Sequence, residues 1–136
     1  MTGGPREKHW TLFKQWTNHY RNELFDVLSN RYVMFLESCF AKHTIFYDLL
    51  SHYFMEFDIY DKEHCVFLST KARRALLVGS PVESVLVLHE GEIKHEQMLS
   101  LVRQSYFKTG MWRSDIDKMA EMAGVDPELA RKQTDM

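Results

Sequence analysis

No glycine and no proline interrupts the chain between Pro5 and Gly79. Tight β-hairpin turns draw on these residues, because glycine reaches positive φ without strain and proline presets φ. A stretch this long without either is hard to build from hairpins and points to helices. The apolar positions agree: Trp10, Phe13, Trp16, Tyr20, Leu24, Val27 and Leu28 recur at intervals of three and four, the spacing of one helical face. They predict a helix over 6–28. After a weak break at Ser29 and Asn30, the pattern continues through Tyr32, Val33, Phe35, Leu36, Cys39 and Phe40. Thr44 can cap a further helix carrying Ile45, Phe46, Leu49, Leu50, Tyr53, Phe54 and Phe57, apolar around most of its circumference and therefore central.

In the second half, Asp61-Lys62-Glu63-His64 resembles an N-terminal cap, opening a helix through Ala72, Leu76 and Leu77. Lys71-Ala72-Arg73-Arg74 would be its wet face, with Ala72, Ala75 and Leu76 towards the core. Cys65-Val66-Phe67-Leu68 leaves a short strand as the alternative. Ser80-Pro81-Val82-Glu83 combines a capping serine, a proline at the first helical position and a glutamate two residues later. It predicts a helix running through Met98, Leu99, Val102 and Tyr106, with a local hairpin around Val85-Leu86-Val87-Leu88 as the alternative. Gly110 closes that element, Ser114 caps a short helix over 115–123, Gly124 stops it and Asp126-Pro127-Glu128 opens the last. The expected fold is all-α: a compact helical bundle of about five to six helices in one domain, 1–136. Residues 1–5 are expected to form a flexible start, and 114–133 a C-terminal helical hairpin.

At 136 residues the chain can bury one core without metal or disulfide staples. Its 45% hydrophobic and 26% charged content excludes disorder and low complexity. Cys39 and Cys65 sit in the apolar surroundings of Ser38-Cys39-Phe40 and Cys65-Val66-Phe67, where cysteine usually behaves as a small buried hydrophobe, and the start lacks the apolar run of a leader. The expected location is cytoplasmic. No run is long enough to span a bilayer, so no membrane role is expected. The net charge of -2 provides no global field for nucleic acid, and any such binding would have to be local.

Three constellations could bear function. Ala120, Gly124 and Val125, flanked by Met119 and Ala123, are spaced so that residues 116–133 resemble the helix-turn-helix of DNA-binding regulators. That resemblance implies a second helix in the major groove, with Arg131 and Lys132 as its cations; Gln133, Asp126 and Glu128 depart from the pattern. His89, Glu92, His95 and Glu96 include one Glu-x-x-His pair, as in di-iron bundles. The second pair is missing, although His52 and Glu56 lie one helical turn apart, and the paired histidines of hemerythrin-like bundles are missing too. Trp10, Phe13, Trp16 and Tyr20 form an aromatic stripe suited either to a partner or to the chain's own core.

No Gly-x-Ser-x-Gly elbow and no phosphate-cradling glycine loop occurs. The expected function is therefore a non-enzymatic regulatory or adaptor protein without a cofactor, binding a protein partner or a second copy of itself as a homodimer through Trp10, Phe13, Trp16 and Tyr20. A DNA-binding regulator acting through Arg131 and Lys132 is the alternative, and a metal-binding bundle using His89, Glu92, His95 and Glu96 stands third.

Overall fold

The computed structural model describes residues 5–40, 45–132 and 134. Most of the start expected to be flexible, the cap expected at Thr44 and Gln133 of the C-terminal hairpin lie outside these residues. The chain divides into two compact units. The first draws on Met1–Ala41 and His52–Val85, the second on Lys42–Ser51 and Leu86–Met136. Unit one holds helices α1 (Pro5–His19), α2 (Arg21–Leu28) and α3 (Thr70–Leu77) and strands β1 (Tyr32–Ser38), β2 (Phe54–Asp61), β3 (Val66–Phe67) and β4 (Glu83–Ser84). Unit two holds α4 (His95–Ser100), α5 (Trp112–Met122) and α6 (Pro127–Lys132). This is an α+β protein, and the expected all-α bundle is corrected.

The helix predicted over 6–28 is present as α1 and α2, divided at Tyr20. Beyond it the helical reading fails. Along β1, half-buried and exposed residues alternate one by one, a period of two that sets one face of a strand against the core. β1 pairs antiparallel with all of β2, from Tyr32 opposite Asp61 to Ser38 opposite Phe54. The other edge of β2 takes β3 antiparallel at Tyr60 and Asp61, and β4 parallel at Met55 and Glu56. The register shifts at Phe35/Leu36, so Phe57 is an extra, bulged residue. Ile59 and Asp61 thus share the buried face with Glu56 and Phe54, while Phe57 and Asp58 stand together on the opposite side.

The turn between β2 and β3 shows why missing glycines misled. Asp61 Oδ1 accepts the amides of Glu63 at 2.9 Å and His64 at 3.3 Å, and Cys65 takes φ 55°, a left-handed conformation costing an ordinary residue about 1–2 kcal/mol. A buried aspartate and a strained cysteine make the bend that glycine usually makes. The helix expected from Asp61 starts only at Thr70, capped by Ser69, whose Oγ accepts from Ala72 N at 3.3 Å. It is also rotated relative to expectation: Arg73 and Leu77 are buried, whereas Ala72 and Ala75 are exposed. The strand alternative at Val66-Phe67 is the one realised, as β3.

Ser80 does not open a helix. Its Oγ accepts from Val82 N in a turn at 3.3 Å, and the following residues satisfy the edge of β2, with Val85 N donating to Glu56 O at 2.8 Å. A buried strand edge needs backbone partners, and that requirement outweighs the helix-start signal. Helix resumes only at His95.

In unit two, Gly124 turns the chain between α5 and α6 with φ 68°, and Asp126 Oδ1 accepts from Glu128 N at 2.9 Å as α6 begins. Ala120 is buried, but Met119, Ala123 and Val125, which a helix-turn-helix would place in the hairpin's core, are exposed. The core of unit two is the i, i+4 stripe Trp112, Ile116 and Ala120, which pattern reasoning identifies only in part.

Candidate functional site

The sheet of unit one has one core face and one open face. Trp16 and Phe13 of α1 cover Phe54, with ring centroids 5.6 and 5.2 Å from it, and His52 lies 5.5 Å from Trp16. Of the aromatic stripe predicted to meet a partner, Trp16 is thus buried, Phe13 and Tyr20 are half-buried and Trp10 alone is exposed.

Glu56, completely buried, locks this core to the neighbouring elements. Its Oε1 accepts from Arg73 Nη1 of α3 at 2.5 Å and its Oε2 from Ser84 Oγ of β4 at 2.7 Å. Removing two charges from water is costly, and only close geometry with further hydrogen bonds offsets it. Glu56 therefore fixes where α3 and β4 meet β2.

The opposite face carries chemistry in the open. In register on it lie Val33, Phe35 and Glu37 of β1, Asp58 and Tyr60 of β2 and Phe67 of β3, joined by the bulged Phe57. The Phe35 ring lies 6.3 Å from Phe57 and 6.0 Å from Phe67, and Phe67 lies 5.1 Å from Tyr60. Phe35, Phe57 and Phe67 are 39%, 44% and 58% exposed, so a cluster of rings that would ordinarily be core faces solvent. A hydrogen bond to the Cys65 thiol, reinforced by burial, pushes the Tyr60 phenol above its ordinary range. Sequence reasoning missed this face because its residues span 33–67 and only strand pairing gathers them; Tyr32–Leu36 is apolar at every position, so no alternation of residue type marks the strand.

At the end of β2, Arg31 grips Asp61 side-on, Nε to Oδ1 at 3.1 Å and Nη2 to Oδ2 at 2.6 Å, and His64 Nδ1 stands 2.8 Å from Oδ2. The Arg31 hydrogen bonds hold the Asp61 carboxyl well below the usual range against burial, helped by His64 and two backbone amides. Asp61, Glu63 and His64 are the one group of three potential metal ligands among the described residues. With Arg31 on both oxygens of Asp61, they form an ion-paired lock on the turn. The predicted ligands His89, Glu92, His95 and Glu96 are all exposed and do not gather into such a group; His89 Nε2 instead lies 3.1 Å from the Glu92 carbonyl. Cys65, expected to be buried, is exposed, and both cysteines are free.

Unit two has its own buried charge. Lys108 Nζ donates to the Thr134 carbonyl at 2.8 Å and sits 3.7 Å from the Trp112 ring centroid. Burial would raise the Asp48 carboxyl, but the hydroxyl and amide of Thr109, with the nearby charge of Lys108, bring it below its ordinary value. Arg131 pairs with Asp117 at 3.2 Å and Lys132 with Glu128 at 3.7 Å, so both cations assigned to DNA reading are engaged by carboxylates of their own helix pair.

The family model for RNA ligase matches residues 2–126, a stretch that takes in every element except α6. No curated protein and no solved structure matches the chain. The family match overturns the reading as a non-enzymatic adaptor or regulator, together with its DNA-regulator and metal-bundle alternatives, and points to an enzyme of the RNA-ligase type. None of the motifs sought in the sequence bears on that chemistry. The chain belongs to the RNA ligase family.

Proposed function

We propose that the protein serves RNA end joining and that the open face of its sheet holds the nucleoside part of a substrate or activated nucleotide. The observation that carries this reading is the contiguous, exposed cluster of Phe35, Phe57 and Phe67 on a sheet whose other face is core. Sheet-borne aromatic rings bind bases by stacking, largely regardless of sequence. Glu37 and Asp58 lie on the same face, and a carboxylate accepts hydrogen bonds without donating any. They repel phosphate but suit ribose hydroxyls and base amino groups.

Joining two RNA ends condenses a terminal phosphate with a hydroxyl, which requires a phosphate bearing a better leaving group than hydroxide. Catalysis of phosphoryl transfer is then chiefly a matter of positioning and charge stabilisation. Holding the nucleoside by base and ribose supplies the positioning. The same reading places the protein in the cytoplasm, supported by free Cys39 and Cys65 and compatible with the absence, among the described residues, of any helix long and apolar enough to cross a membrane.

The test is titration of the chain with a 5′-phosphorylated single-stranded RNA oligonucleotide. A stacked base is worth about 1–3 kcal/mol, so Phe35→Ala and Phe67→Ala should each weaken binding by roughly tenfold or more. Unchanged affinity in both variants overturns the assignment of this face.

A further inference from the structure

Glu56 and Asp61 stand five positions apart on β2, and both are buried, 0% and 2% exposed. Arg73 and Ser84 hold Glu56, and Arg31 holds Asp61. Successive side chains of a regular strand point to opposite faces, so residues an odd number of positions apart do not share a face. Two buried, paired acids at this spacing both face inward only if β2 carries an extra residue. Phe54 and Ile59, buried at the same spacing, impose the same parity. The extra residue is the bulge: Leu36 opposes Glu56 and Phe35 opposes Asp58, with Phe57 between them. A strand one residue shorter would bury the same four side chains without breaking the ladder. What the extra residue adds lies on the open face, where Phe57 and Asp58 stand side by side.

Asp58 is half-buried there, opposite Phe35, whose ring lies 6.3 Å from that of Phe57. Its Oδ1 accepts from Ile59 N at 3.0 Å, which orients the carboxylate, and among the described residues nothing else engages it. We infer that Asp58 determines specificity at this face: placed by the bulge, it accepts a hydrogen bond from a donor on the stacked nucleoside. A carboxylate accepts without donating, and a site built to bond a donor rejects the analogue that lacks it. Bulges beside sites re-aim a side chain in this way. The donor is a base amino group or a ribose hydroxyl, the two nucleoside groups that offer one. The inference rests on the nucleoside reading of the face given above.

The experiment titrates the full chain with three 5′-phosphorylated single strands: oligoadenylate RNA, oligouridylate RNA and oligodeoxyadenylate. Asp58→Asn keeps an oxygen for the Ile59 amide and turns the other into a donor. If the base amino group is read, the preference for oligoadenylate over oligouridylate should fall roughly fivefold or more in this variant. If the ribose is read, the preference for RNA over DNA should fall by that factor. Both preferences unchanged overturn the role of Asp58. The bulge is tested without RNA. Deletion of Asp58 should leave a chain that unfolds cooperatively on heating, because Phe57 then takes the place opposite Phe35 and the four buried residues still face inward. Deletion of Tyr60 turns Asp61 outward and should abolish that transition; equal damage from the two deletions overturns the parity argument. Loss of binding in Phe35→Ala and Phe67→Ala, with both preferences unchanged in Asp58→Asn, leaves the nucleoside face standing and refutes Asp58. A wild-type chain that binds none of the three strands refutes both.

Discussion

The two units are stabilised by different means. In unit one the buried residues come from widely separated stretches: Trp16 of α1, Phe54, Met55, Glu56 and Ile59 of β2, and Arg73 and Leu77 of α3. In unit two a single helical stripe, Trp112, Ile116 and Ala120, provides the apolar core, with Lys108 and Thr134 buried beside it. Among the described residues, three apolar side chains are buried in unit two against five in unit one, so unit two is thinly covered where unit one is cross-braced.

The strongest way to break this comparison is through Glu56. Glu56→Ala strands the Arg73 guanidinium in the core and should cost about 3–5 kcal/mol of stability in a denaturant titration. Replacing both partners, as Glu56→Leu with Arg73→Met, should restore much of the loss. A loss below about 1 kcal/mol in the single variant would mean that the ion pair does not brace unit one.

A smaller effect compares two isoleucines. Ile59→Ala and Ile116→Ala both fall in the range of about 2–5 kcal/mol for such truncations. Ile59, 0% exposed between paired strands, should lie near the top of that range. Ile116 should lie near the bottom, because thinly packed surroundings collapse more readily into the space. Equal losses would erase the difference in packing between the units.

The smallest effect is set by pH. The folded Asp61 carboxyl titrates below its unfolded value, so its stabilisation is complete above the ordinary aspartate pKa of about 4. It is lost as pH falls through the folded value. Stability measured across acidic pH should therefore decline in the wild type, and less steeply in Arg31→Gln, where the principal cause of the shift is gone. Parallel profiles would show that the turn lock contributes nothing specific.

The legible parts of the fold were local. The three-and-four spacing from Trp10 to Leu28, the left-handed Gly124 and the Asp126-Pro127 helix start each involve residues within one or two turns, and each marks a feature the structure contains. The sheet was illegible for specific reasons. Asp61 and Cys65 make its tight turn without glycine, Phe57 breaks the alternation of β2 by bulging, and two buried acids, Glu56 and Asp61, interrupt the apolar face that would have marked a strand. The candidate site was missed for a related reason, since exposed Phe35, Phe57 and Phe67 looked like ordinary core positions.

What the sequence determined by itself was where helices α1, α2 and α6 lie and that there is enough apolar surface to fold, because capping and periodicity act between near neighbours. What only the tertiary structure decided was which acids are buried and which rings are exposed. Glu56 meets Arg73 across 17 positions and Arg31 meets Asp61 across 30. The energy of such a contact depends on burial and on a partner brought in by the fold, neither of which is written in the residues beside it.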